Sequence, residues 1–71
     1  MLEKGKNYKA KIRNKEEYFE FYAVNKNTIR IENVKYRIYP TMIDNRFSFW
    51  KKEKNNGVTL EKQIYFEIIE K

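Results

Sequence analysis

Hydrophobic and polar residues alternate with a period of two along most of this chain, as they do in strands with one buried face. Tyr8, Ala10 and Ile12 interleave with Lys9, Lys11 and Arg13, and Phe19, Phe21 and Ala23 with Tyr18, Glu20 and Tyr22. Ile29 and Ile31 interleave with Thr28 and Arg30, and Val34, Tyr36 and Ile38 with Lys35, Arg37 and Tyr39. Two further runs follow, Phe47 and Phe49 with Ser48 and Trp50, then Ile64, Phe66 and Ile68 with Tyr65, Glu67 and Ile69.

Short polar gaps separate the runs. Glu32-Asn33 has the two-residue length of a tight hairpin. Asn55-Asn56-Gly57 is a strong turn signal before the last run. Asn tolerates positive φ better than most non-Gly residues, so the eight Asn are expected to do turn work that two Gly cannot. Pro40 has no N–H to give a ladder and should close the fourth strand. Residues 40–45 are too short for an ordinary helix; a single 3₁₀ turn is expected there, with Met42 and Ile43 plugging one end of the core. Lys51-Lys52-Glu53-Lys54 reads as a solvated loop.

The last segment fits two descriptions. Leu60, Ile64 and Ile68 also have helical spacing, and Glu61, Lys62, Gln63 and Glu67 favour helix. Residues 64–69 are rich in β-formers, and Thr59 is followed by Lys62 where a capping box would have Glu or Gln. The strand is preferred. The expected fold is all-β, one small domain over residues 1–71. Five to six strands form an antiparallel meander that closes into an SH3-like or other small barrel, to bury one face and blunt its edges. The alternative is α+β with a C-terminal helix over 59–70.

Composition narrows the chemistry. A chain of 71 residues buries only about 60% of its unfolded surface, so the core must be dense. Six Tyr, five Phe and Trp50 can supply it, at about 150–250 Å² buried per ring. With no Cys and no His, disulfides, Cys/His zinc sites, Cys nucleophiles and His acid–base catalysis are excluded. The carboxylates are scattered: Asp44 is the sole Asp, and the adjacent Glu16-Glu17 pair falls in a gap. Oxygen-only metal sites need clustered acids, and glycosidase chemistry needs two carboxyl groups converging across a cleft. No enzyme, metal or cofactor is therefore expected.

Charge carries the remaining signal. The formal net charge is +6, from 16 Lys+Arg and 10 Asp+Glu. Its distribution is uneven: residues 26–54 hold eight positives against three acids, whereas 16–25 hold three Glu and no positive. With Ile12, Ile31, Ile38 and Phe49 facing inward, the opposite parity exposes Lys9, Lys11, Arg13, Arg30, Lys35, Arg37, Arg46 and Lys52, together with Tyr18, Tyr22, Tyr39 and Trp50. Cations neutralise phosphates and release counterions, while exposed rings stack on bases. The expected function is a small basic module for single-stranded nucleic acid. Lys9, Lys11, Arg13, Arg30, Lys35, Arg37 and Lys52 would meet phosphates, and Tyr39 and Trp50 would stack.

The same features have ordinary readings. Lys on an exposed strand face guards against edge pairing, and Tyr there reflects β-propensity. Trp50 in so small a domain is more often a partly buried core residue. The alternative function is a protein-binding module for an acidic host protein, anchored by Tyr22, Arg37, Tyr39 and Trp50, because Trp, Tyr and Arg dominate hot spots. A homodimer through open strand edges or the segment 64–69 is a further expectation. Lys, Asn, Ile, Tyr and Phe together supply 39 residues, an AT-rich coding bias that points to a low-GC bacterium, its phage or a mobile element. The charged start lacks the apolar segment of a secretory signal, and no run approaches the roughly 20 apolar residues of a membrane helix. A cytoplasmic location, away from membranes, is expected.

Overall fold

All six alternating runs are strands in the computed structural model, which describes the backbone of residues 2–70 and the side chains of residues 2–69. They are β1 (Asn7–Ile12), β2 (Tyr18–Asn25), β3 (Thr28–Ile31), β4 (Val34–Pro40), β5 (Arg46–Asn55) and β6 (Val58–Glu70). Each pairs antiparallel with the next, and β6 returns to pair with β1, so the meander closes into a barrel. The α+β alternative is overturned, since Val58–Glu70 is one continuous strand. Its alternating Ile64, Phe66 and Ile68 lie on or against the core, a use of period-two hydrophobicity that outweighs the helix propensity of Glu61, Lys62 and Gln63. Among the described residues there is no helix, and hence none long and apolar enough to cross a membrane.

Turn chemistry fixes the register. Glu32 and Asn33 both have positive φ (48° and 67°), as do Asn56 and Gly57 (53° and 79°). Two successive positive-φ residues are what a type I′ hairpin turn requires. They hold the pairs Ile31↔Val34 and Asn55↔Val58. Asn14 and Asn45 also have positive φ, so four of the eight Asn do the turn work expected of them.

The barrel interior is an aromatic cluster. Phe66 sits at its centre, with ring centroids 5.4 Å from Phe19, 5.7 Å from Phe21, 5.8 Å from Phe47 and 5.8 Å from Phe49. Tyr8, Ala10, Ala23, Ile29 and Ile38 complete the buried core with Leu2. The alanines are fully buried, leaving room for the rings in a barrel of six strands.

Three expectations need correction. Met42 and Ile43 do not plug the core: they are 104% and 55% exposed, and residues 42–45 form bends and a turn, not a 3₁₀ helix. The Thr41 hydroxyl accepts from the Ile43 N–H and donates to the Ile43 carbonyl, while the Thr41 N–H donates to the Arg46 carbonyl at 3.0 Å. The loop thus closes on itself and leaves both apolar side chains outside. Leu2 enters the core instead. Its segment is tied down by the Gly5 N–H donating to the Ala23 carbonyl (2.8 Å) and the Glu3 N–H donating to the Tyr8 hydroxyl (2.7 Å). Val34, expected inward, is also exposed, being the first residue after the β3–β4 turn.

The third correction concerns Lys51–Lys54, which is strand and not loop. β5 contacts β4 in register only at Phe47–Phe49, and β6 meets β1 from Phe66 onward. From Trp50 to Gln63 the two strands pair only with each other, in unbroken register to Asn55↔Val58. The hairpin therefore leaves the barrel as a two-stranded arm, and every residue from Trp50 to Lys62 is exposed.

Candidate nucleic-acid interface

Strand register decides which exposed cations are neighbours. Tyr22 is paired with Arg30 and Arg30 with Lys35, forming one outward row across β2, β3 and β4. Thr28 pairs with Arg37 in the next row. The β4–β5 ladder runs Ile38↔Phe49, Tyr39↔Ser48, so Arg37 and Tyr39 share the outward parity of Ser48 and Trp50. Trp50 in turn pairs with Gln63 of β6. Arg30, Lys35, Arg37, Tyr39 and Trp50 thus occupy one continuous sector, and neither β3 nor β4 contains an acidic residue. Lys52 extends the sector along the arm, opposite Glu61.

Trp50 is 48% exposed and projects outward, so it is not the core residue that its type usually is. Beside it, the Gln63 amide donates to the Ser48 hydroxyl (3.1 Å), and the Tyr65 hydroxyl donates to the Gln63 carbonyl oxygen (2.9 Å). Ser48 is buried although its parity is outward, and this network satisfies it. Arg13, in the turn after β1, lies over the Tyr65 ring at 5.6 Å, and its N–H donates to the Tyr65 carbonyl at 2.9 Å. A polar and aromatic path therefore leads from Trp50 through Gln63 and Tyr65 to Arg13.

The tyrosines of the sector carry their own cations. The Arg30 guanidinium lies over Tyr22 at 4.8 Å and that of Arg37 over Tyr39 at 5.7 Å. An exposed cation–π contact is worth about 0.5–1 kcal/mol, less than the roughly 1–3 kcal/mol of a base stacked on an aromatic ring. Arg37 is therefore held over Tyr39 only weakly.

Lys9 and Lys11 do not join this group. In a closed six-strand meander β1 lies across the barrel from β4, so outward residues on the two strands point away from each other. Acids also accompany them. Lys9 stands opposite Glu20, with its ammonium over the Tyr18 ring at 5.6 Å. The Lys11 ammonium is 3.9 Å from the Glu16 carboxylate. Arg46 is bound to Glu67 at 3.0 Å. In the N-terminal segment, a hydrogen bond from Lys6 to the Glu3 carboxylate and the charge of that group raise the Lys6 pKa.

Sequence reasoning passed over Lys15, Lys51 and Lys62. All three line a groove of about 530 Å³ between the β1–β2 turn and the arm. The signal was present: counting outward from Asn56-Gly57 brings Lys51 opposite Lys62. Among the described residues no group of three or more acids gathers to hold a metal ion.

Searches of family models, of curated proteins and of solved structures gave no match to this chain.

Proposed function

We propose that the protein binds nucleic acid through the outward face of β3, β4 and β5, with single strands preferred. The observation that carries this reading is the sector just described. Three cations, Arg30, Lys35 and Arg37, stand with Tyr39 and Trp50 on strands whose only acid is Glu53, out on the arm. The cations neutralise phosphates and the rings stack on bases, so contact is mainly with the backbone and sequence preference is low. Arg13 and Lys52 lie at the margins of the sector and extend it. Lys9 and Lys11 contribute long-range attraction only. The setting that suits this function is the cytoplasm of a low-GC bacterium, as a host, phage or mobile-element protein.

The test is a fluorescence anisotropy titration of labelled single-stranded and duplex oligonucleotides at about 50 and 200 mM salt. Single-strand binding is expected to weaken steeply across that interval. Changing Arg30, Lys35 and Arg37 together to Ala should flatten the dependence of log affinity on log salt by about 2, at about 0.7 per phosphate contact. A folded triple variant that binds like the parent would overturn the assignment of this face. Absence of binding at the lower salt would return the face to the second class of partner, an acidic protein met by Tyr22, Arg37, Tyr39 and Trp50.

A further inference from the structure

Lys51 and Lys62 stand directly opposite each other on the arm, on the parity that continues the inner face of the barrel. Like charges directly opposite across a ladder destabilise it, and this arm has no third strand or core to offset the penalty. Neither lysine has an ion-pair partner among the described residues. Both line the groove together with Arg13 and Lys15, and Glu17 and Glu53 line it as well. Four cations against two acids converge on a concavity of about 530 Å³, ample for a phosphate group.

We propose that this groove is a second phosphate site, in which an anion between Lys51 and Lys62 relieves their repulsion and Arg13 and Lys15 close over it. Its occupant is a phosphodiester of the strand that lies on the β3–β5 face, and in naming that source the inference rests on the function proposed above. Arg13 is the link between the two sites. It lines the groove, and it packs on Tyr65, whose hydroxyl bonds Gln63, the ladder partner of Trp50. Trp50 and the Lys51–Lys62 pair lie on opposite faces of the arm, so a strand stacked on Trp50 reaches the groove by rounding the β6 edge at Gln63 and Tyr65, both of which line it.

The decisive variant is Lys62→Glu, because stability and binding should move in opposite directions. The introduced carboxylate faces Lys51 and turns a repulsion into an attraction, so the melting temperature should equal or exceed the parent's. Affinity for a single-stranded 20-mer should fall about tenfold, the loss of one charge-assisted contact, with a shallower salt slope. Lys54→Glu, at the arm tip opposite Thr59 and outside the groove, makes the same change in net charge and serves as the control. If both variants lose affinity equally, or Lys62→Glu loses none, the site is overturned.

A parallel NMR titration of the parent with inorganic phosphate separates this inference from the reading it rests on. Saturable amide shifts confined to Arg13–Lys15, Lys51 and Lys62 support the site even if no oligonucleotide binds, and identify a free phosphate as its occupant. No shifts there, with Lys62→Glu binding oligonucleotide as the parent does, dispose of it.

Discussion

Arg30 and Lys35 face each other across the β3–β4 hairpin, two cations in direct register on the outer wall of the barrel. Arg30 is held over the Tyr22 ring, and Lys35 has no ion-pair partner among the described residues. Replacing Lys35 with Glu should stabilise the hairpin by about 0.2–1 kcal/mol, the range for an opposite-charge pair. It should also weaken binding to single-stranded nucleic acid. Urea denaturation and anisotropy on the same sample test both. A variant that gains stability and keeps full affinity would remove Lys35 from the interface.

Trp50 separates stacking from folding. It is half exposed and lies outside the buried core cluster, so Trp50→Ala should cost less than the roughly 3–5 kcal/mol of a core aromatic. If a base stacks on it, affinity for a single strand should fall by the equivalent of about 1–3 kcal/mol. As the sole tryptophan, it is also the natural reporter: its fluorescence should be quenched on titration with unlabelled oligonucleotide, and an unchanged spectrum at saturation would place the strand elsewhere.

Phe66 holds the barrel together. From β6 it contacts four other phenylalanines, Phe19 and Phe21 of β2 and Phe47 and Phe49 of β5. Phe66→Ala should cost about 3–5 kcal/mol. Total stabilities are about 5–15 kcal/mol and this chain is short, so the variant should be largely or wholly unfolded by circular dichroism at ambient temperature. A cooperative transition close to the parent's would show that the ring cluster is not the main source of stability.

The arm should be a separate unit of local stability. Beyond Trp50 and Gln63 its hydrogen bonds are made within one hairpin, and an isolated two-stranded hairpin is marginal in water. Amide exchange is expected to be faster in 51–62 than in the barrel strands. Gly57 has φ +79°. Gly57→Ala should cost roughly 1–2 kcal/mol from the left-handed backbone, accelerating exchange in the arm while leaving the protection of Ala10 and Phe66 unchanged. Equal acceleration throughout would mean that arm and barrel unfold as one.

How much of this was legible in the chain differs from element to element. Period-two alternation identified all six strands and the inward parity of Ala10, Phe21, Ile29, Ile38, Phe49 and Phe66, because a side chain's face is a local property of the strand. The positive-φ turns at Asn33 and Asn56 were equally legible, since their chemistry is local. The strand ends were not. Residues 51–57 have no hydrophobic alternation, so only the hairpin register imposed by Asn56-Gly57 reveals that 51–55 continue the ladder.

Closure was a tertiary decision. Parity set which way most strand residues face, but not which outward residues are neighbours, because a closed barrel has one outside surface that faces every direction. Pairing β6 with β1 placed Lys9 and Lys11 across the barrel from Arg37 and Tyr39 and brought Lys51 and Lys62 against the turn that carries Arg13, while the β3–β4 and β4–β5 pairings set Arg30, Lys35 and Arg37 in the same outward sector as Trp50. It also drew Leu2 into the core and left Met42 outside, a choice made by long-range packing and by the hydrogen bonds that close the Thr41–Arg46 loop. Charge and alternation are written residue by residue; the grouping of charges into a site depends on strand pairings between residues far apart in the chain.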